Sequence, residues 1–148
     1  MKRMILLALA LIAPPAMAGD GDLRSIAAMQ FHERVLLVFA PSLRDPRLIT
    51  EQRAMATIAL DAATRDLVLV QVGDNAVIGA RDKAERLRRR FKVPLNEFRV
   101  FLIGKDGQVA INTPHPLAGP ALIAAIDAMP MRQEEVRRAR EGHPLPHN

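Results

Sequence analysis

The chain has no cysteine, no tryptophan and no tyrosine, and its five phenylalanines are its only aromatic residues. The missing thiols exclude disulfides, thiol–disulfide exchange, cysteine nucleophiles and cysteine-ligated metals. Aromatics at 3% of 148 residues leave little for stacking on nucleobases. No apolar run approaches the roughly 20 residues that a spanning helix needs. What is present reads as one folded domain. Hydrophobic residues make up 49% and charged residues 25%, which argues against a disordered chain and for a buried core.

The first residues read as an address. Met1-Lys2-Arg3-Met4 is a short basic start, residues 5–13 are apolar, and Pro14-Pro15 closes the run. Ala16-Met17-Ala18 then places small residues at −3 and −1, completing the three-part pattern of a secretory signal. The apolar run is too short to anchor the chain, and no cysteine follows to carry a lipid. Cleavage is expected after Ala18. Residues 1–18 are then a signal peptide, 19–140 the folded domain, and 141–148, with two prolines, a disordered tail. Losing Lys2 and Arg3 leaves 19 basic against 16 acidic residues, so the net charge falls from +5 to +3. The mature protein is expected to be periplasmic or secreted, with no membrane insertion after cleavage.

The pattern of apolar residues sets the order of elements. Residues 23–30 suggest a short helix. Val35-Leu36-Leu37-Val38-Phe39-Ala40 is an unbroken run with the look of a central strand covered on both faces. Asp45-Pro46 is a helix start, carboxylate cap first and fixed-φ proline next. Leu48, Met55, Ala59 and Ala62 recur at helical spacing and carry that helix to about Thr64. A second buried strand covers 67–72, a turn follows at Gly73-Asp74-Asn75, and a helix is expected over 79–91. There Asp82–Arg86 and Glu85–Arg89 stand at i,i+4 with the acid first. Strands at 98–103 and 109–111 flank Gly104-Lys105-Asp106-Gly107, a hairpin signal. A last helix opens at Gly119-Pro120. Pro130 breaks or kinks it, leaving 131–140 as a charged turn or two. The order is β-α-β-α-β-β-α. It predicts an α/β fold with a central mixed four-stranded sheet flanked by helices. Helical crossovers predict that its first three strands are parallel. This order is that of a thioredoxin-like domain.

Several segments carry a more specific resemblance. They are Arg34-Val-Leu-Leu-Val-Phe-Ala-Pro-Ser, Gln52, Arg65-Asp66-Leu-Val, Leu102-Ile-Gly-Lys-Asp-Gly-Gln and Ile126-Asp-Ala-Met-Pro-Met-Arg-Gln-Glu-Glu. Together, over roughly residues 23–138, they resemble the DUF4174 family, a domain of unknown function. The resemblance implies a thioredoxin-like fold in an exported bacterial protein. Redox-active thioredoxins carry CxxC just after the first core strand. Here that place reads Ser42-Leu43-Arg44-Asp45-Pro46, with Leu43 and Pro46 about where the cysteines would be. Neither can form a thiolate or a mixed disulfide. The cis-proline such proteins carry before the third strand is also missing: Glu97-Phe98 occupies that region, and Pro94 lies several residues earlier.

Six residues are candidates for binding a ligand or partner: Arg44, Asp45, Arg47, Lys105, Asp127 and Arg132. The first three stand where this fold normally does its chemistry, at a helix N-terminus that attracts anions. The competing reading is capping by Asp45 and solvated arginines. Lys105 sits in a glycine-flanked motif that lacks the spacing and hydroxyl of a phosphate-binding loop, so a hairpin turn explains it. In Asp127-Ala-Met-Pro-Met-Arg132 the methionines suit packing, Pro130 redirects the chain, and Arg132 can tie it to Asp127 or to the body. An exposed methionine patch would instead suit an adaptable partner site. Arg86-Leu87-Arg88-Arg89-Arg90 reads as a solvated helix face with acidic partners nearby, not as a nucleic-acid surface. His32, His115, His143 and His147 are scattered and form no ligand pair, and no serine-nucleophile elbow is present. The expected function is a non-redox binding or interaction module with a protein or small-molecule partner in the periplasm. No cofactor, metal or nucleic acid is expected. The alternative is a non-thiol enzyme using Asp, Arg and Lys groups at the end of the sheet.

The address reading is checked by expressing the whole chain in a Gram-negative host. Intact-mass measurement of the protein from the exported fraction should give a chain beginning at Gly19; retention of residues 1–18 there would refute cleavage.

Overall fold

The computed structural model describes residues 23–142. The expected signal peptide, residues 19–22 and the tail beyond 142 lie outside the described residues. The elements in chain order are α1 (Ile26–Met29), β1 (Arg34–Ala40), α2 (Pro46–Thr57), α3 (Ala59–Ala63), β2 (Leu67–Gly73), β3 (Ala76–Ile78), α4 (Ala84–Phe91), β4 (Arg99–Ile103), β5 (Val109–Thr113), α5 (Gly119–Asp127) and α6 (Pro130–Arg140).

All seven residues of β1 are buried, as an apolar run covered on both faces requires. It is the middle strand of one sheet, ordered β3-β2-β1-β4-β5. Its alternating side chains divide the core. Leu37 and Phe39 face Val70, Leu87 and Phe101. Leu36 and Val38 face Leu48, Phe98, Leu102 and Ile126. Three of the five phenylalanines, Phe39, Phe91 and Phe101, meet with ring centroids 5.0–5.9 Å apart. The arrangement is thioredoxin-like: α/β, with a mixed sheet flanked by helices.

Two expectations about the sheet need correction. It has five strands, not four, and the first three expected strands are not all parallel. β1 and β2 are parallel, with Arg34 opposite Leu67, but β4 runs antiparallel to β1, with Val35 opposite Ile103. The reason is the short β3. It pairs antiparallel with β2 through Gly73↔Ala76, so the Gly73-Asp74-Asn75 turn sends the chain back along the sheet. α4 then climbs to the other end, and β4 must descend. A three-residue strand thus reverses the direction of the one after the helix.

The helices also differ in detail. The helix expected up to Thr64 is broken at Ile58, whose φ of −113° separates α2 from α3. Gly119 packs there, and a β-carbon on it would lie 2.6 Å from Ile58 Cγ2. The helix expected from 79 begins at Ala84, so Asp82 falls outside it and accepts from the Ile26 N–H instead of pairing with Arg86. Pro130 starts a new helix, and α6 is a full 11 residues.

Gly73 marks a close backbone-to-backbone approach at the end of β2. A β-carbon there would lie 2.5 Å from the Leu43 nitrogen and 2.8 Å from the Ser42 carbonyl carbon. Gly73→Ala should therefore cost about 1–3 kcal/mol in urea unfolding. Trimming Leu43 to alanine in the same chain should not rescue it, because the clash is with backbone. A full rescue would refute this account.

Candidate functional site

The six candidate residues do not converge. Arg44, Asp45 and Arg47 lie at the C-terminal ends of β1 and β2; Lys105, Asp127 and Arg132 lie at the opposite end of the sheet.

At the first end the structure is closed. The backbone of Ser42 and Leu43 lies directly on Gly73, and the Leu43 side chain packs half-buried against the core. Asp45 Oδ1 accepts from the Arg47 N–H at 2.9 Å and caps α2. Arg47 donates twice more to the same carboxylate, at 3.0 and 2.7 Å, and its guanidinium lies 4.8 Å above the Phe98 ring. These side-chain hydrogen bonds hold the Asp45 carboxyl below its usual range. Arg44 is exposed, and its N–H donates to Ser42 Oγ at 3.1 Å. The helix N-terminus that could attract an anion is occupied by its own aspartate. One turn further, Glu51 is wholly buried. Its Oε2 accepts from the Leu117 N–H at 2.8 Å, and burial pushes its carboxyl up against that bond.

At the other end eight charged residues from six segments form one network, Asp61 joining it through Arg65 at 3.3 Å. Glu135 of α6 is its centre. Its Oε1 accepts from Arg34 Nη2 at 3.1 Å and from Lys105 Nζ at 2.8 Å, and its Oε2 lies 3.3 Å from Arg132 Nη1. Lys105 Nζ also reaches Asp66 Oδ2 at 2.7 Å. Arg65 grips Asp127 with two bonds of 2.8 Å, and Arg132 Nε lies 3.6 Å from the same carboxylate. Backbone carbonyls complete it: Arg34 donates to that of Arg65 at 2.8 Å and Arg132 to that of Thr64 at 3.1 Å. Arg34 is fully buried, Lys105 is 6% exposed, and Glu135 is 9% exposed. Burial pushes the Glu135 carboxyl up, but hydrogen bonds from Lys105 and Arg34 prevail and hold it below its ordinary value. Asp127 is held low mainly by Arg65.

The network docks α6. Glu135 is the only buried residue of that helix, so an ionic cluster takes the place of an apolar stripe. Lys105 sits in the expected hairpin, where Gly107 supplies the positive φ of 81° and its N–H donates to the Gly104 carbonyl at 2.9 Å. Sequence reading assigned no role to Arg34, Arg65, Asp66 or Glu135. Two signals were available. Arg132 and Glu135 stand at i,i+3, and charged residues begin or immediately precede both parallel strands.

Grooves flank this network. One of about 510 Å³ runs between Phe31, Lys105, Pro130, Met131 and Arg138. A smaller one of about 170 Å³ shares Lys105, Pro130 and Met131 and continues past Met129 and Ala110. Another of about 580 Å³ lies between Arg65, Asp127 and the outer side of α6. Phe31 is the unusual wall. It is 66% exposed and has φ +70°. The turn from Met29 to His32 begins with Gln30 at φ −55°, ψ 137°, and closes with a 3.0 Å bond from the His32 N–H to the Met29 carbonyl. That is type II geometry, whose third position normally takes glycine. Among the described residues no three His, Asp or Glu side chains gather to hold a metal ion. No described helix is long and apolar enough to cross a membrane.

Comparison with known proteins gives one family. The model of DUF4174, "Domain of unknown function (DUF4174)", matches residues 25–135. The network lies within that span. No curated protein matches the chain. Among solved structures the chain is similar to a Plasmodium yoelii thioredoxin peroxidase I at 18% identity, over 83% of this chain and 84% of that one, with a TM-score of 0.44. It is similar to Plasmodium yoelii Prx1a, modified at the N-terminus, at 18% identity over 82% and 84%, with a TM-score of 0.41.

Removing Glu135 leaves Arg34 and Lys105 buried without their shared anion. Glu135→Ala should cost about 3–5 kcal/mol in chemical denaturation, and Glu135→Gln less, since an acceptor oxygen remains. Because the folded-state carboxyl is held low, its contribution is complete above the ordinary glutamate range and is lost as pH falls through the lowered value. The Gln variant should therefore lose less stability on acidification than the parent; identical acid profiles would refute the linkage.

Proposed function

This chain belongs to the DUF4174 family, and we propose that it is a non-redox binding module in the exported compartment to which its first 18 residues direct it. The fold is thioredoxin-like and the chain holds no cysteine. The place where such folds carry a redox motif is closed by Leu43 on Gly73 and by the Asp45–Arg47 pair.

Phe31 carries the reading. A bulky side chain at positive φ costs on the order of 1 kcal/mol or more relative to glycine. Burial does not repay that cost, since two-thirds of the residue faces solvent. Neither backbone geometry nor core packing selects phenylalanine here, whereas a partner would. Beside it Met131, 38% exposed, and Pro130 extend the apolar wall, and methionine adapts readily to a partner's shape. The charges beneath are spent on one another, so the groove offers apolar contact above a neutralised floor. The alternative of a non-thiol enzyme has less support, because Arg44 and Asp45 stand at one end of the sheet and Lys105 and Arg132 at the other.

The test separates stability from binding. Phe31→Gly should leave the melting temperature unchanged or raised, because the turn is relieved. Immobilised mature protein should retain a specific partner from the exported fraction. Phe31→Gly and Met131→Ser should lose it, and Arg53→Glu, on a distant exposed helix face, should not. Retention of the same proteins by all four chains, or of none by the parent, would sink the proposal.

A further inference from the structure

A second surface lies at the other end of the sheet, where α4 finishes. Residues 83–92 hold six cations, Lys83, Arg86, Arg88, Arg89, Arg90 and Lys92, against one acid, Glu85. Glu85 pairs with Arg89. Asp82, expected to neutralise Arg86, is turned away to the Ile26 N–H. Arg88 points inward, donating to the carbonyls of Ala40 at 2.7 Å and Pro94 at 2.9 Å. It thereby pins the segment after the helix to the end of β1. Lys92, at φ +56°, ends the helix and stands exposed.

Between this helix end and residues 93–95 is a groove of about 380 Å³. Val93, Pro94 and Leu95 form its apolar wall, with Leu95 63% exposed; Arg89 and Lys92 stand on its rim beside Glu85, whose single charge leaves the rim net positive. The helix dipole accounts for cations in a last turn. It does not account for an uncovered leucine among them. A groove that is apolar inside and positive at the edge complements a segment of the opposite design. Base stacking is not on offer, because Phe91 packs with Phe39 and Phe101.

We propose that this groove binds an acidic peptide segment, which sets an apolar side chain against Leu95 and its carboxylates against Arg89 and Lys92. The site is separate from the Phe31 groove and stands or falls without it.

Fluorescence anisotropy of the mature chain with labelled Asp-Glu-Leu-Leu-Glu-Asp tests this. Saturable binding is expected, weakened about tenfold or more by Leu95→Ser, by Arg89→Gln with Lys92→Gln, and by raising the salt concentration. Phe31→Gly should bind as the parent does. A peptide with serine in place of both leucines should bind about tenfold more weakly, and one with lysine in place of the acids should not bind. Absence of binding by the parent would overturn the proposal. So would equal affinity for the serine peptide or for oligo-dT, which would mark a general polyanion surface. Normal binding by the Leu95→Ser chain, its fold checked by circular dichroism, would overturn it as well.

Discussion

Glu135 brings a carboxylate to a place that water hardly reaches, and three cations meet it there. Arg34 comes from the first residue of the central strand, Lys105 from the hairpin after β4, and Arg132 from one turn earlier in α6. A buried carboxyl stays ionised only when its charge is matched and its lone pairs are used. That requirement fixes three things together: where α6 lies, how the hairpin is held, and where the N-terminal end of β1 stops. Desolvation makes such a cluster a modest source of net stability. Its geometric demands make it a strong source of position, because an apolar stripe can slide where a shared carboxylate cannot. The grooves beside Phe31 and Met131 owe their shape to that docking.

The two ends of the sheet are built on opposite terms. At the C-terminal ends of β1 and β2, the backbone of Ser42 and Leu43 sits on Gly73, and Asp45 spends its charge on Arg47 and its own helix. The lack of cysteine is thus matched by a lack of room, so the vacancy is structural as well as chemical. At the other end the chain keeps a strained, exposed phenylalanine over a neutralised floor. Beside the closed end, α4 carries unbalanced positive charge around an uncovered leucine.

Much of this was legible in the chain. β1 announced itself as an unbroken branched run, Asp45-Pro46 as a helix start, and Asp106-Gly107 as a hairpin turn, each for a local reason. The sheet's direction was not legible, because β3 is only three residues long. Ala76-Val77-Ile78 has too little pattern to register as a strand, yet its pairing with β2 reverses everything after α4. Lys105, Asp127 and Arg132 could be singled out, but their common partner could not. Glu135 and Arg34 are 101 residues apart in sequence, and no spacing rule connects them. Asp82–Arg86 failed for the converse reason: the spacing was right, but the helix began two residues after Asp82.

The sequence alone determined the long buried strands, the main helix starts and the exclusion of thiol chemistry, because those follow from side-chain type, local backbone preference and short periodicities. Tertiary structure decided strand direction, the closure of the place before α2 by Leu43 on Gly73, and the meeting of Arg34, Lys105, Arg132 and Glu135. Each of these depends on which distant groups arrive at the same point, and burial gives such groups no water to fall back on. A charge that looks solvated in the sequence must find a counter-charge or backbone dipoles once the fold has enclosed it.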